Sequence, residues 1–147
     1  MPSLPWHNVF MASAAKPISS KPLLTTLHLN LALVEAGVPV ATMSDFIATS
    51  GLPLKDIYEV VIPARTLKHR RARKESLSTD ESDKLARLAR VFDHTVSVFD
   101  TPDLARAWLN KPKKRFDGRT PMDMLRTEVG ARMVEEMLGQ IDEGMFA

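Results

Sequence analysis

Residues 78–100 read STDESDKLARLARVFDHTVSVFD, and this stretch decides the fold class. Ser78-Thr79-Asp80-Glu81 has the form of a capping box, in which a cap serine and a glutamate three residues later satisfy each other's backbone N–H groups. Behind it, Leu85, Leu88, Ala89, Phe92, Val96 and Phe99 recur at intervals of three and four residues. That spacing predicts one amphipathic helix running to about Asp100, with an apolar stripe along its whole length. Such a stripe has to be covered, and the flanking sequence offers only helices to cover it.

Upstream, residues 26–35 carry Leu27, Leu31 and Val34 at helical spacing and are closed by Gly37 and Pro39. Residues 43–49 form a second short helix with Phe46 and Ile47 apolar, stopped at Ser50-Gly51. Residues 52–62 form a third, with Ile57, Val60 and Val61 facing inward. Val60-Val61-Ile62 alone suits a strand, but no partner strand or hairpin signal exists elsewhere, so the reading stays helical. Pro63 opens a fourth helix at its first position, where the missing N–H costs nothing. Leu67 is the only large apolar residue of that helix, which leaves it a broad exposed face.

Downstream, Thr101-Pro102-Asp103 caps a helix through Leu104, Ala107, Trp108 and Leu109 that stops before Pro112. A basic loop spans residues 111–118. Thr120-Pro121 with Asp123 is another cap, and Thr127-Glu128 opens the last helix. The chain reads all-α, without internal repeats.

The last helix carries Val129, Met133, Val134, Met137, Leu138 and Ile141 and is followed by Met145 and Phe146. Val129, Met133 and Met137 are expected in the core, and Met145 and Phe146 at an interface, because a terminus usually ends in polar residues. Gly130, Gly139 and Gly144 each cost up to about 1 kcal/mol against alanine within a helix. Close helix packing or a close partner approach would account for them. Gly144 suits a helix C-cap that projects Met145 and Phe146 as a plug. Arg119, Arg126 and Arg132 are available to a partner's carboxylates, or to Asp123, Glu128, Glu135 and Glu136.

The composition, 44% hydrophobic and 26% charged over 147 residues, is that of an ordinary globular protein. Without cysteine there is no disulfide framework, thiolate metal site or cysteine nucleophile, which suits a cytoplasmic location. No apolar run approaches the roughly 18 residues of a membrane span, so no membrane partner is expected. Residues 1–20 lack the pattern of an export signal. Residues 1–22 read as a loose arm, tacked to the body through Trp6 and Phe10 and without assigned function.

Charge is divided unevenly. Residues 1–116 hold 17 basic and 11 acidic side chains, whereas residues 117–147 hold 3 basic and 7 acidic. The first part favours a polyanion and the tail does not. The excess concentrates in Arg65, Lys68, Arg70, Arg71, Arg73 and Lys74, with His69 among them. A solvated charged face, a membrane surface and a nucleic-acid reader compete for this helix. Membrane attachment needs a wide apolar face opposite the cations, and Leu67 alone is not one. The preceding helix, short turn and Pro63 start have helix-turn-helix proportions, so nucleic acid fits best.

In that geometry Ala64, Arg65 and His69 face base edges, and Thr66, Lys68, Arg70 and Arg73 meet phosphates. Arg65 offers the bidentate fork that recognises guanine. The turn position that is often glycine is Val61 here, so the turn must differ or be strained. One such helix reads a half-site, which predicts a dimer.

Enzyme chemistry finds no support. His7, His28, His69 and His94 are far apart and in no metal-ligand spacing, and His94 reads as a core histidine. Asp80-Glu81 and Glu135-Glu136 are adjacent pairs that diverge on a helix. No glycine-rich phosphate loop or nucleophile elbow occurs. The expectation is a non-enzyme without cofactor or metal.

From Ser44 onward the chain resembles the Xre/MbcA/ParS-type antitoxins of bacterial toxin–antitoxin modules. The resemblance rests on Pro63-Ala64-Arg65-Thr66-Leu67 and the basic run, then Leu77-Ser78, Glu81-Ser82-Asp83 and Leu85-Ala86-Arg87-Leu88-Ala89-Arg90-Val91. It continues through Ala107-Trp108-Leu109, Gly118-Arg119-Thr120-Pro121-Met122-Asp123-Met124-Leu125, Thr127-Glu128, Gly130-Ala131, Leu138-Gly139, Ile141, Gly144 and Phe146. It implies an Xre-like helix-turn-helix domain over residues 23–76 and a C-terminal toxin-binding helical domain over residues 77–147. It also implies a cognate RES-domain toxin acting on NAD or using it for ADP-ribosylation. The C-terminal domain would cover the toxin's active-site cleft, and the helix-turn-helix would repress the operon. On this reading the toxin-binding residues are Arg119, Arg126, Arg132, Gly144, Met145 and Phe146. The alternative from the residues is a stand-alone transcriptional regulator whose C-terminal helices only homo-oligomerise.

Overall fold

The computed structural model describes residues 29–144, and every regular element there is helical. The elements are α1 (Leu31–Ala36), α2 (Val40–Ser50), α3 (Leu54–Val60), α4 (Ala64–Arg73), α5 (Thr79–Phe99), α6 (Pro102–Leu109), α7 (Pro121–Met124) and α8 (Glu128–Asp142). A single 3-10 turn, Lys114–Phe116, lies between α6 and α7. The arm over residues 1–22, Leu27, His28, Met145 and Phe146 fall outside the described residues.

Polar caps and prolines start these helices. The Asn30, Ser78, Thr101, Thr120 and Thr127 side chains each accept a backbone N–H from the first turn that follows. Each such cap contributes about 1 kcal/mol. The capping box is complete: Ser78 Oγ accepts from the Glu81 N–H at 3.1 Å, and Glu81 Oε1 accepts from the Ser78 N–H at 2.8 Å. Pro39, Pro53 and Pro63 occupy N-cap positions with extended backbone, and their carbonyls accept from the first turn: Pro39 from the Thr42 N–H, Pro53 from the Asp56 N–H and Pro63 from the Leu67 N–H, each at 3.0 Å. Pro63, expected at the first helical position, is instead the N-cap, and α4 starts one residue later at Ala64. Pro39 opens α2 at Val40, three residues ahead of the expected start, because its fixed φ suits the residue before a helix.

Between α3 and α4 the expected strain is absent. Val61 has φ −109° and ψ −60°, and its N–H continues to the Ile57 carbonyl at 2.9 Å. The Ile62 N–H reaches the same carbonyl at 3.1 Å. The turn thus needs no left-handed residue, and Val60, Val61 and Ile62 are buried as its apolar filling.

α5 is the centre of the molecule, packing against α1, α3, α6 and α8. Leu85, Leu88, Ala89 and Phe92 are sealed from solvent. Phe92 meets Phe46 of α2 edge to face, with ring centroids 6.2 Å apart, a geometry aromatic pairs prefer. The stretch before α5 is no loose linker: Leu77 is buried and its N–H donates to the Val38 carbonyl at 2.9 Å. Ser82 Oγ accepts from the Val38 N–H at 2.8 Å.

Two faces differ from expectation. On α6, Ala105 and Leu109 are buried, while Leu104 and Ala107 are exposed. On α8, the core side is Gly130, Ala131, Val134 and Leu138. Val129 is 71% exposed and Met133 42%, so neither is core, and Met137 is only partly buried. Register explains the difference: a Cβ on Gly130 would collide with the Met124 backbone carbonyl, so Gly130 faces the body and turns Val129 and Met133 outward. Gly139 faces open space, and nothing in the structure explains it.

Candidate nucleic-acid interface and partner surface

α4 is anchored by a single buried residue, Leu67, 2% exposed. Burying one leucine stabilises by about 1.5–3 kcal/mol, enough to fix the rotation of a ten-residue helix against the core. With Leu67 inward, Ala64, Arg65, Lys68, His69 and Arg73 are exposed and Thr66 is half-buried. Among the described residues, neither Arg65 nor Lys68 has a carboxylate within ion-pair distance. The helix ends at Lys74, whose left-handed backbone (φ 56°) lets the Glu75 N–H close on the Arg70 carbonyl at 2.9 Å.

Arg70 is placed differently from the phosphate role expected of it. Its Nε lies 3.1 Å from Glu81 Oε1, and its Nη1 3.0 Å from Glu75 Oε2. Desolvation acts against the Glu81 carboxylate. The Ser78 N–H and the Arg70 guanidinium outweigh it and hold Glu81 below the usual carboxylate range. Arg70 thus fastens α4 to the start of α5. Arg71 reaches Ser44 Oγ of α2 at 3.4 Å, and Arg73 approaches Glu75 at 3.9 Å.

The C-terminal helices grip the helix-turn-helix directly. Arg106 of α6 donates through Nη1 to the Ser50 carbonyl at 2.6 Å and pairs with Asp103. Asn110 donates through Nδ2 to Oδ2 of Asp56 at 3.3 Å. Asp56 is buried on α3, and its desolvation raises its pKa. Arg126 spans Glu59 of α3 at 3.4 Å and Asp123 at 3.3 Å. Pairings across fifty or more residues leave no local sequence signal, and sequence reasoning missed them.

At the start of α8, Glu128 receives Arg87 at 3.0 Å and Arg90 at 3.2 Å, and Arg90 also holds Glu135 at 2.7 Å. Desolvation raises the Glu128 pKa, but the two arginines prevail and hold it low. The outer face of α8 presents Val129 and Met133 one turn apart, with Arg132 between them, 80% exposed and 3.9 Å from Glu128. Arg119 is exposed. Gly144 has φ +75° just beyond the last helical turn, and its N–H meets the Ile141 carbonyl at 3.0 Å. This is the conformation a C-terminal glycine supplies without steric cost. The structure brings Arg126 and Arg132 to the same end as Val129 and Met133.

Among the described residues no histidine–carboxylate group could hold a metal ion, and no helix is long and apolar enough to cross a membrane. His94 is partly exposed on α5.

Comparison with known proteins matches residues 30–90 to a family described as the antitoxin Xre-like helix-turn-helix domain. Residues 94–144 match the antitoxin Xre/MbcA/ParS C-terminal toxin-binding domain. The two matches meet inside α5. Similar proteins include an antitoxin Xre of Photorhabdus laumondii, 34% identical over 144 residues, covering 97% of this chain and 90% of that protein. An antitoxin Xre of Pseudomonas putida is 51% identical over 84 residues, 57% of this chain; the match spans about half, 53%, of that protein's length. A protein named Prs ADP-ribosylating antitoxin, from a Sphingobium species, is 26% identical over 127 residues, 80% of each chain.

Proposed function

The chain belongs to the Xre/MbcA/ParS-type antitoxin family, and from that premise we propose that it neutralises a cognate RES-domain toxin with its C-terminal helices and represses its own operon through α4. The observation that carries this reading is the outward Val129–Met133 face of α8, inside the segment matched as toxin-binding. Apolar side chains exposed one turn apart, and unnecessary to the core, suit a surface that a partner covers. Arg119, Arg126, Arg132, Gly144, Met145 and Phe146 complete the proposed toxin contact. The name of the Sphingobium relative, which couples an antitoxin to ADP-ribosylation, favours a toxin that consumes or transfers from NAD. The antitoxin would act by covering that toxin's cleft, with no chemistry or cofactor of its own.

For the operator, the proposed contacts are Ala64, Arg65 and His69 at base edges and Thr66, Lys68 and Arg73 at phosphates. Arg70 leaves the set in favour of Glu75 and Glu81. One recognition helix per chain implies a dimer on DNA, with half-sites about one helical turn apart. The domain division we propose keeps the DNA-reading unit upstream of α5 and the toxin-binding unit downstream of it, with α5 shared.

A growth assay tests the inhibitory half. Expression of the neighbouring toxin gene should arrest growth, and co-expression of the intact chain should restore it. The Met133→Asp chain should restore it poorly while folding normally. No rescue by the intact chain would leave the stand-alone regulator as the better description.

A further inference from the structure

The loop between α6 and α7 carries Lys111, Lys113, Lys114, Arg115 and Arg119 against one acid, Asp117. Its backbone is closed into a ring: the Lys113 N–H donates to the Arg119 carbonyl and the Gly118 N–H to the Lys113 carbonyl, each at 3.0 Å. Phe116, 5% exposed, pins the ring to the core. Lys113 Nζ lies 4.9 Å from the centre of the Trp108 ring, which itself rests on Phe99. Burial and the charge of Lys111 push the Lys113 pKa below the usual lysine range. Lys111 and Lys114 are exposed, and among the described residues neither has a carboxylate within ion-pair distance. A rigid loop that holds like charges together is complementary to an anionic surface.

The position of the loop distinguishes between anionic partners. It starts at Asn110, whose side chain holds Asp56 in the first turns of α3, and Arg106 just before it holds the Ser50 carbonyl. In helix-turn-helix docking, the first helix of the pair crosses the DNA backbone while the second enters the groove. Through Asn110 the loop is tied to the helix that borders the DNA backbone in that docking. The loop also exposes lysine and no large apolar side chain, and lysine is depleted from protein–protein contacts. We propose that Lys111 and Lys114 form a second phosphate-contacting segment, through which the C-terminal half of the chain holds the DNA backbone beside the groove read by α4. This inference rests on the DNA-binding reading above.

The test uses the full chain with Lys111→Ala and Lys114→Ala together. Binding is followed by fluorescence anisotropy across a salt series. The probes are a duplex spanning the DNA upstream of its reading frame and a scrambled duplex of equal length. Affinity for both duplexes should fall by the same factor, at least about ten-fold at moderate salt. The slope of log K against log salt should shrink by about 2, near 0.9 for each phosphate that is no longer neutralised. The paired Lys→Arg substitutions should restore both. Unchanged affinity and slope, while Lys68→Ala lowers them, would overturn the proposal and leave the DNA-binding reading standing. Loss of toxin binding with DNA binding intact would also overturn it, assigning the loop to the toxin. A native chain that binds neither duplex would remove the DNA-binding reading itself.

Discussion

Arg70 Nε and Glu81 Oε1 stand 3.1 Å apart, joining the cationic helix α4 to the capping box that starts α5. Arg70 therefore ties the fold together within a run of otherwise exposed cations. Arg70→Ala should lower the melting temperature and leave the salt dependence of DNA binding nearly unchanged. Lys68→Ala should do the reverse, with a slope about 1 unit shallower. Thermal melts and salt titrations on the two variants check this; an equal loss of slope in both would place Arg70 on phosphate.

Arg65 is the proposed base reader. Arg65→Ala should weaken operator binding by about 1–3 kcal/mol and relax sequence preference, since a bidentate guanine contact contributes that much discrimination. Competition between operator and scrambled duplexes measures it. An unchanged ratio would mean that α4 reads no base through this residue.

Gly130 faces the Met124 carbonyl with no room for a Cβ. Gly130→Ala should destabilise the chain by about 1–3 kcal/mol, the range for overpacking a close contact. Urea denaturation reads it directly. A neutral result would mean that α8 can move away from α7 without cost.

The helical fold class and α5 were legible because a capping box and a long 3.6-residue period are local signals. The register of α8 was not. Val129-Met133-Met137 and Ala131-Val134-Leu138 both have helical spacing, and hydrophobicity alone prefers the larger side chains for the core. The deciding fact was the close approach of Gly130 and Ala131 to the body. The two small residues in succession were the available sign of it. The cationic helix was legible from composition, but the pairing of Arg70 with Glu81 was not, because Glu81 lies eleven residues on and also serves the capping box. The clasp of Asn110 on Asp56 is long-range and had no local trace.

Three carboxylates give stability a pH dependence with two signs. Glu81 and Glu128 have native pKa values held low. Their contribution is complete above the unfolded glutamate value, about 4.3, and is lost as pH falls through the lower native values. Asp56 is raised, so its contribution is complete below the unfolded aspartate value, about 3.9, and is lost as pH rises through the native one. Asp56→Asn should therefore melt higher than the native chain at pH 7, and the advantage should shrink on acidification. A variant that melts lower at pH 7 would show that the Asp56 charge is needed in the clasp on Asn110.

Capture of a toxin by the C-terminal helices is the proposed core of this chain's function. The most direct measurement is size exclusion with light scattering on the chain co-expressed with the neighbouring toxin. The intact chain, a Val129→Asp/Met133→Asp variant and a chain lacking residues 144–147 would be compared. The intact chain should form a stable hetero-complex, and both altered chains should lose the toxin with their own helical content unchanged. An intact chain that elutes without toxin, as a homo-oligomer with Val129 and Met133 buried between copies, would contradict this reading.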